Sequence, residues 1–375
     1  MTARVTIIAE VGVNHNGDPE VARRMVEAAW RAGADAVKFQ TFKADRLVLA
    51  AAPKAPYQER TTDPGESQRE MLRKLELAEE DHRRLQVFCR EIGIDFLSSP
   101  FDEVSLAFLV EELNLPTLKL PSGEITNAPL LVAAGRSGKK ILLSTGMATL
   151  GEIEKALEML AVGMVFQGTA RALQEVLRDV SPGGRASRVF IDFPTAREFL
   201  AERVILLQCT TEYPAPYRTA NLRAMETLRS AFGLAVGFSD HTPGIAVALA
   251  AVARGAVVVE KHFTLDRRLP GPDHAASLEP EAFRELVEGI RAVEASLGDG
   301  RKGPVAEEWA NRLVARKSLV TLAGVAQGEL FTEANLGTRR PGGGLSPMAY
   351  WDWLGRRAER DYPVGALVGV TPDPP

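Results

Sequence analysis

Short apolar runs alternate with amphipathic stretches along most of the chain. The runs VTIIAEVG, AVKFQT, DFLSSP, TLKLPSG, KILLSTG, VILLQCT, LAVGFSDH and VVVEKHFT read as eight strands. A segment with helical spacing of apolar residues follows each. Asp18 caps the first helix, Pro19 sits in its first turn, and Val21, Met25, Ala28, Ala29 and Ala32 form its apolar stripe. Thr242 and Pro243 open another, which stops at Gly255. The last carries Phe283, Leu286, Val287, Ile290, Val293 and Leu297 on one face and closes at Gly298. Strands apolar on both faces imply a parallel sheet covered by helices. Eight β-α units close a (β/α)8 TIM barrel in ~250 residues plus insertions. An open doubly wound sheet is the alternative, but EVGVNHNGD follows the first strand where a Gly-x-Gly-x-x-Gly turn would stand.

Two intervals exceed a bare β-α unit. Residues 45–78 follow the second strand, on the face where barrel sites form, and their polar, proline-bearing composition suggests a mobile lid. Residues 163–203 follow the fifth helix and read as a structural insertion on the opposite face. The barrel is thus expected over 1–298, a polar linker over 299–313, and a small second domain over 314–375. That last part has short β-like runs, a turn at Gln327-Gly328 and glycines at Gly342 to Gly344. At this size it is marginal alone, so it should lean on the barrel or on a partner chain.

Composition changes this picture little. A net charge of −4 gives no basic field for nucleic acid or anionic membrane. No apolar stretch approaches the ~20 residues of a membrane span. The N-terminal run holds Glu10 and is too short for a signal peptide. Cys89 and Cys209 form neither a disulfide framework nor a zinc motif, which suits a reducing, cytoplasmic compartment.

The chemistry lies where the strands stop. Their C-terminal ends carry Glu10; Lys38 and Gln40; Ser98 and Ser99; Lys119, Ser122 and Glu124; Ser144 and Thr145; Thr210, Thr211 and Tyr213; Ser239, Asp240 and His241; Glu260, Lys261 and His262. One serine at a strand end is most often a cap, and one lysine is as often an ion-pair partner as a site residue. Eight polar ends converging on one barrel mouth are hard to explain as packing, because buried polar groups are costly unless paired. His15 stands in a loop between asparagines, with a structural or a functional role open, and His82 reads as a solvated residue in the first turn of a helix. Lysines with hydroxyls suit an anion: Lys38, Lys119, Ser122, Ser144 and Ser239 could hold a phosphate and a carboxylate together. His241 and His262 end neighbouring strands ~4.8 Å apart, so both imidazoles could reach one divalent ion that keeps its waters, such as Mn2+. The alternative is one core histidine and one general base.

IIAEVGVNHNGD, VKFQTF, KLPSGEITN, LLSTGM, QCTTEYPAP, GFSDHT, EKHFTLDRRLPGPDHAASLEP and RRPGGGLSP together resemble the sialic acid synthase family, in order from about Val5 to Val370. The resemblance implies a TIM barrel joined to a C-terminal antifreeze-like (SAF) domain. It implies condensation of phosphoenolpyruvate with an open-chain N-acetylmannosamine-type sugar, giving N-acetylneuraminate and phosphate. Legionaminic or pseudaminic acid synthesis from a diacetamido-trideoxyhexose is the alternative within the family, and a Schiff-base barrel aldolase the alternative outside it. By motif position, Lys38, Ser99, Lys119, Ser122, Ser144 and Ser239 are expected to hold phosphoenolpyruvate. Gln40, Tyr213 and Asp273 are expected to contact the sugar, and Glu10 or Glu124 to transfer the proton. His241 and His262 are expected to bind Mn2+, with Mg2+ or Co2+ as substitutes. Arg340 is expected to reach the sugar's N-acetyl group from the partner chain of a homodimer. Thr211 departs from the asparagine of some members, and Ser99 replaces a threonine.

Overall fold

The computed structural model describes residues 4–63, 65–166 and 194–369. By compactness the chain divides into two units, Met1–Leu297 and Gly298–Pro375. In the first, eight parallel strands form one sheet: β1 Thr6–Gly12, β2 Ala36–Thr41, β3 Asp95–Pro100, β4 Thr117–Leu120, β5 Lys140–Ser144, β6 Val204–Cys209, β7 Ala235–Asp240 and β8 Val258–His262. Strand β1 pairs with β8 as well as with β2, so the sheet curls on itself. The ring is hydrogen-bonded at every neighbour except β3 and β4, which lie side by side. The β1–β8 ladder rules out the open doubly wound sheet and establishes a nearly closed (β/α)8 barrel.

Strand parity decides what faces inward. Ile8, Ala36, Leu97, Leu142, Leu207 and Val258 pack as a cluster of their own, the apolar plug of the barrel. Their sequence neighbours Ile7, Ala9, Val37, Phe96, Ile141, Leu143, Leu206 and Val259 belong instead to the large core between strands and helices. At β7 the plug has no room for a side chain. A Cβ on Gly237 would stand 2.5 Å from the Val258 carbonyl and 2.6 Å from Leu207 Cδ2, so only glycine fits. Two residues farther along the inward parity come Glu10, Lys38, Ser99, Ser144, Cys209 and Glu260. The pattern that fills the plug therefore also delivers a polar layer directly above it.

The helices follow local rules. Asp18 accepts hydrogen bonds from the Glu20 and Val21 amides and caps Pro19–Arg31, whose Met25 and Ala29 are buried on the barrel. The last helix of this unit, Pro280–Ser296, buries Phe283, Leu286, Val287 and Ile290. Thr242 does not start a helix. Its hydroxyl and amide both donate to Asp240, and the helix begins at Ala246. His82 is not solvated: it is 1% exposed. It lies inward on helix Glu79–Ile92, with Nε2 3.0 Å from Thr41 Oγ1 and Nδ1 3.0 Å from the Ala78 carbonyl. Residues 45–78 form short helices, Ala44–Leu47, Pro56–Thr61 and Gln68–Arg73. Buried Lys54 ties them together by donating to Thr62 Oγ1 and to the Asp63 carbonyl. Most of the insertion expected over 163–203 lies outside the described residues. Its start continues helix Leu150–Val165, and its end is helix Pro194–Arg203.

In the second unit, β9 Ser318–Thr321 pairs antiparallel with β10 Leu336–Arg339. Leu319, Val325, Phe331, Leu336, Ala358, Tyr362 and Val368 make its core. The stretch expected to be a bare linker carries a helix, Glu308–Ala315. Arg340 follows β10 and is exposed. Among the described residues, no helix is long and apolar enough to cross a membrane.

Burial lowers the pKa of His82 from 6.5. Above pH 6.5 the group is neutral folded or unfolded. Below it the unfolded chain binds a proton that the folded chain refuses, so stability is lost as pH falls toward the depressed folded value. His82→Gln removes this linkage. Its urea-unfolding free energy should fall less steeply than wild type between pH 7 and 5, by up to ~1.4 kcal/mol per pH unit. Parallel pH profiles would refute a neutral buried imidazole.

Candidate active site

The polar layer above the plug opens into a cavity of about 370 Å³, within the range of small-molecule sites. All thirteen barrel residues expected at the site line it, from Glu10 on β1 to Asp273 beyond β8. Arg340 belongs to the second unit and is not among them. Their gathering follows from parallel strands ending on one face, each contributing one or two inward positions.

Four buried charges form the floor. Lys38 pairs with Glu10 and lies 3.8 Å from Glu260, and its Nζ donates to Ser99 Oγ at 3.1 Å. Lys119 donates to Glu260 Oε1 at 2.9 Å, as does Ser239 Oγ at 2.9 Å. Gln40 donates to Glu10 Oε1 at 3.2 Å. The two carboxylates respond differently. Burial raises both, but Lys119 and Lys38 outweigh it at Glu260 and hold it down to about 2. At Glu10 burial wins over Lys38, and the negative Glu260 adds to it, so its pKa is raised. Burial works against the Lys119 ammonium, yet Glu260 and Glu10 raise its pKa. Lys119 is thus a protonated cation, a poor Schiff-base nucleophile.

Two histidines form one wall. Their ring centroids are 5.3 Å apart, and the Tyr213 ring lies 4.4 Å from His241 and 5.5 Å from His262. His241 Nδ1 donates to the Thr210 carbonyl at 2.6 Å, which fixes the tautomer and leaves the Nε2 lone pair free toward Ser239 Oγ at 3.4 Å. His262 Nδ1 makes no hydrogen bond, and its nearest carboxylate oxygen is Asp273 Oδ2 at 4.0 Å. Burial pushes His241 down to about 4, and burial followed by the neighbouring His241 lowers His262 well below the ordinary imidazole value. Burial, with the Glu10 charge adding to it, lifts Asp273 to about 7. Two neutral imidazoles with available nitrogens suit a divalent cation. Among the described residues, no three histidine, cysteine or carboxylate groups stand together as a metal cluster. Any ion here would draw most of its ligands from water or substrate.

The far wall is hydroxylic. Ser122 Oγ accepts from the Gly146 amide at 2.9 Å and lies 3.2 Å from Cys209 Sγ. A Cβ on Gly146 would stand 2.4 Å from Thr211 Oγ1 and 2.8 Å from Ser122 Oγ, so glycine is what lets this wall close. Glu124, on the turn after β4, accepts from Asn127 at 2.7 Å, and burial raises its pKa. His15 does not line the cavity: its ring is buried beside Phe39, and its Nδ1 accepts the Gly17 amide.

Family models and relatives agree on what this cavity belongs to. Residues 25–302 match the NeuB family model. The chain belongs to the NeuB family. It is an enzyme of sialic-acid-type (nonulosonate) biosynthesis, a transferase that condenses phosphoenolpyruvate with a sugar. It is 45% identical to the N,N'-diacetyllegionaminic acid synthase of Campylobacter jejuni, over 97% of this chain and 99% of that one. It is 41% identical to the synthase of the same name from Legionella pneumophila, over 96% and 92%. Its fold matches the crystal structure of a sialic acid synthetase from Leptospira borgpetersenii in complex with citrate, with a TM-score of 0.63 at 32% identity over 82% and 90%.

Glu260 and Tyr57 escaped the sequence reading as site residues. Glu260 looked like one more polar strand end, but it is the hub that joins both lysines to Ser239. Its parity with Val258 and His262 was the available signal. The Tyr57 ring lies tilted against Tyr213, centroids 5.0 Å apart, from a segment with no strand pattern to place it.

The opposite parity carries its own charges. Lys261 and Asp240 are fully buried and paired at 2.8 Å, and Lys261 also donates to the Thr242 carbonyl. This pair clamps the turns that carry His241 and His262. Lys261→Met should cost about 3–5 kcal/mol by stranding the Asp240 charge. Adding Asp240→Asn, which keeps an acceptor for Thr242, should recover more than half in urea unfolding. No recovery would show that the pair's charge is not what destabilises the single variant.

Proposed function

We propose that this enzyme condenses phosphoenolpyruvate with the open-chain form of a diacetamido-trideoxyhexose to give N,N'-diacetyllegionaminic acid and phosphate. The floor of two lysines and two carboxylates, ringed by serine hydroxyls, supports the phosphoenolpyruvate half of this reading. The identities to two diacetyllegionaminic acid synthases support the sugar, and place it ahead of the N-acetylmannosamine that the sequence alone put first.

The chemistry follows from the groups at hand. Lys38 and Lys119, with Ser99, Ser122, Ser144 and Ser239, hold the carboxylate and phosphate of phosphoenolpyruvate as charge-assisted hydrogen-bond donors. An arriving anion shares the two lysines with Glu260 rather than displacing it, because that carboxylate would otherwise be left buried and unpaired. The enol C3 of phosphoenolpyruvate attacks the sugar aldehyde, forming the C–C bond and leaving positive charge at C2. Glu10, with its raised pKa, protonates the aldehyde oxygen. Water adds at C2, and the bond from C2 to the phosphate oxygen breaks to release phosphate and the 2-keto acid. Glu10, having given up its proton, takes one back from that water, with Glu124 as the second candidate for this step. Gln40, Tyr213 and Asp273 orient the sugar. His241 and His262 fit a divalent ion, Mn2+ foremost, which when bound supplies Lewis acidity at the aldehyde oxygen. The second unit serves as an antifreeze-like domain whose Arg340 completes the partner's sugar site in a homodimer. Both cysteines are free and buried, in keeping with a cytoplasmic enzyme.

Phosphate release from phosphoenolpyruvate should require the sugar and should be abolished by EDTA or by His241→Ala, with thermal unfolding of the variant retained. Borohydride with either substrate should trap nothing. Turnover that survives chelation, or a trapped lysine adduct, would overturn the mechanism in favour of a Schiff-base aldolase. Arg340→Ala should raise KM for the sugar at least tenfold more than KM for phosphoenolpyruvate. An equal rise in both would remove Arg340 from the sugar site.

A further inference from the structure

The cavity has an outer wall as distinct as its floor, and the reaction above leaves it without a task. Helices Pro56–Thr61 and Gln68–Arg73 supply it, with Tyr57, Gln58, Gln68, Met71 and Leu72 facing the opening. Gln68 Nε2 donates to Gln58 Oε1 at 3.3 Å, and Gln58 Nε2 reaches Tyr57 Oη at a weak 3.4 Å. No hydrogen bond to Gln68 Oε1 is present among the described residues. This pair therefore presents a free amide acceptor and a loosely held amide donor at the edge of an apolar surface. Met71 and Leu75 line the cavity and pack with Phe42 and Val13 in one apolar cluster. Among the described residues lining the cavity, the cations are Lys38 and Lys119, both engaged on the floor, and no arginine lines it.

We infer that this wall, built by helices Pro56–Thr61 and Gln68–Arg73, selects the far end of the sugar, taking a second acetamido group on Gln58 and Gln68 and a terminal methyl on Met71 and Leu72. An acetamido group carries one N–H donor, one carbonyl acceptor and a methyl. Two primary amides beside thioether and leucine carbons match each of these. A hydroxyl at the methyl's place would meet apolar carbon and lose its water partners. A phosphate there would carry about two negative charges to a wall whose described lining residues include no cation. The wall also reports to the chemistry, because the Tyr57 ring lies against Tyr213, which lies against His241. The inference rests on the proposed condensation, and it assigns specificity to residues separate from those of the floor.

The test compares three sugars with the full-length enzyme: the diacetamido-trideoxyhexose, N-acetylmannosamine and N-acetylmannosamine 6-phosphate. Both kcat/KM by phosphate release and Kd by calorimetry are measured. Wild type should prefer the diacetamido sugar by at least tenfold. Gln68→Ala, at a half-buried position, should cut the ratio of kcat/KM for the diacetamido sugar over N-acetylmannosamine at least tenfold, with the larger loss on the diacetamido sugar and KM for phosphoenolpyruvate little moved. Leu72→Arg should raise use of the 6-phosphate relative to the other two. Equal losses on all sugars in Gln68→Ala, or a wild-type preference for the 6-phosphate, would overturn the assignment. If wild type released no phosphate with any sugar, the condensation itself would be refuted. The Kd ratios, which need no turnover, would still decide the wall.

Discussion

Everything at the barrel mouth depends on one constraint: two carboxyl groups and two amines share a dry floor, and none can be left without a partner. Glu10, Lys38 and Glu260 stand two positions above the plug residues Ile8, Ala36 and Val258, and Lys119 joins them from β4, so that the four satisfy one another. An isolated buried charge would shift its pKa or unfold the site. The quartet instead brings two lysine amines to the place where an anionic substrate arrives. The asymmetry between its acids is useful. Glu260, pinned between two lysines, stays ionised and structural, while burial raises Glu10 above the ordinary carboxyl value.

The rest of the mouth adds to this floor without disturbing it. The imidazole wall is kept neutral by burial, and its orientation is set by the Thr210 carbonyl and by the clamp of Asp240 and Lys261 on the far side of the sheet. The outer wall belongs to a single excursion after β2, held together by its own buried lysine, Lys54. Floor and outer wall thus come from different parts of the chain. Reaction chemistry sits on strand ends, and recognition of the variable end of the sugar sits on helices laid across them.

Much of this was legible from residues alone, for a physical reason. Strands buried on both faces must be apolar until they reach the mouth, so each run such as LAVGFSDH announces both the strand and the place where chemistry starts. The eight runs match the eight strands to within a few residues at their ends. What stayed hidden depends on partners far off in sequence. Nothing near Glu260 says that it faces Lys119, 141 residues away, while Lys261 beside it faces Asp240. His82 reads as a surface residue among charges, and only the packing of its helix against Thr41 and Ser98 buries it. Thr242 looks like a helix cap until Asp240 takes its hydroxyl. The spacing within residues 45–78 carries no period, so its glutamines had no face to be assigned to.

The alternation in β8 has a consequence for how this sequence can change. Its last residues, Glu260, Lys261 and His262, send acid and imidazole to the cavity and the amine to the outside. A point substitution here removes one group, but a single-residue deletion or insertion would exchange the two faces. It would set an amine among the floor lysines and leave an acid and an imidazole against Asp240. Drift in this strand is therefore confined to replacements that preserve length. Changes of length can be absorbed only in the loops between strands, where the chain has placed its own excursions.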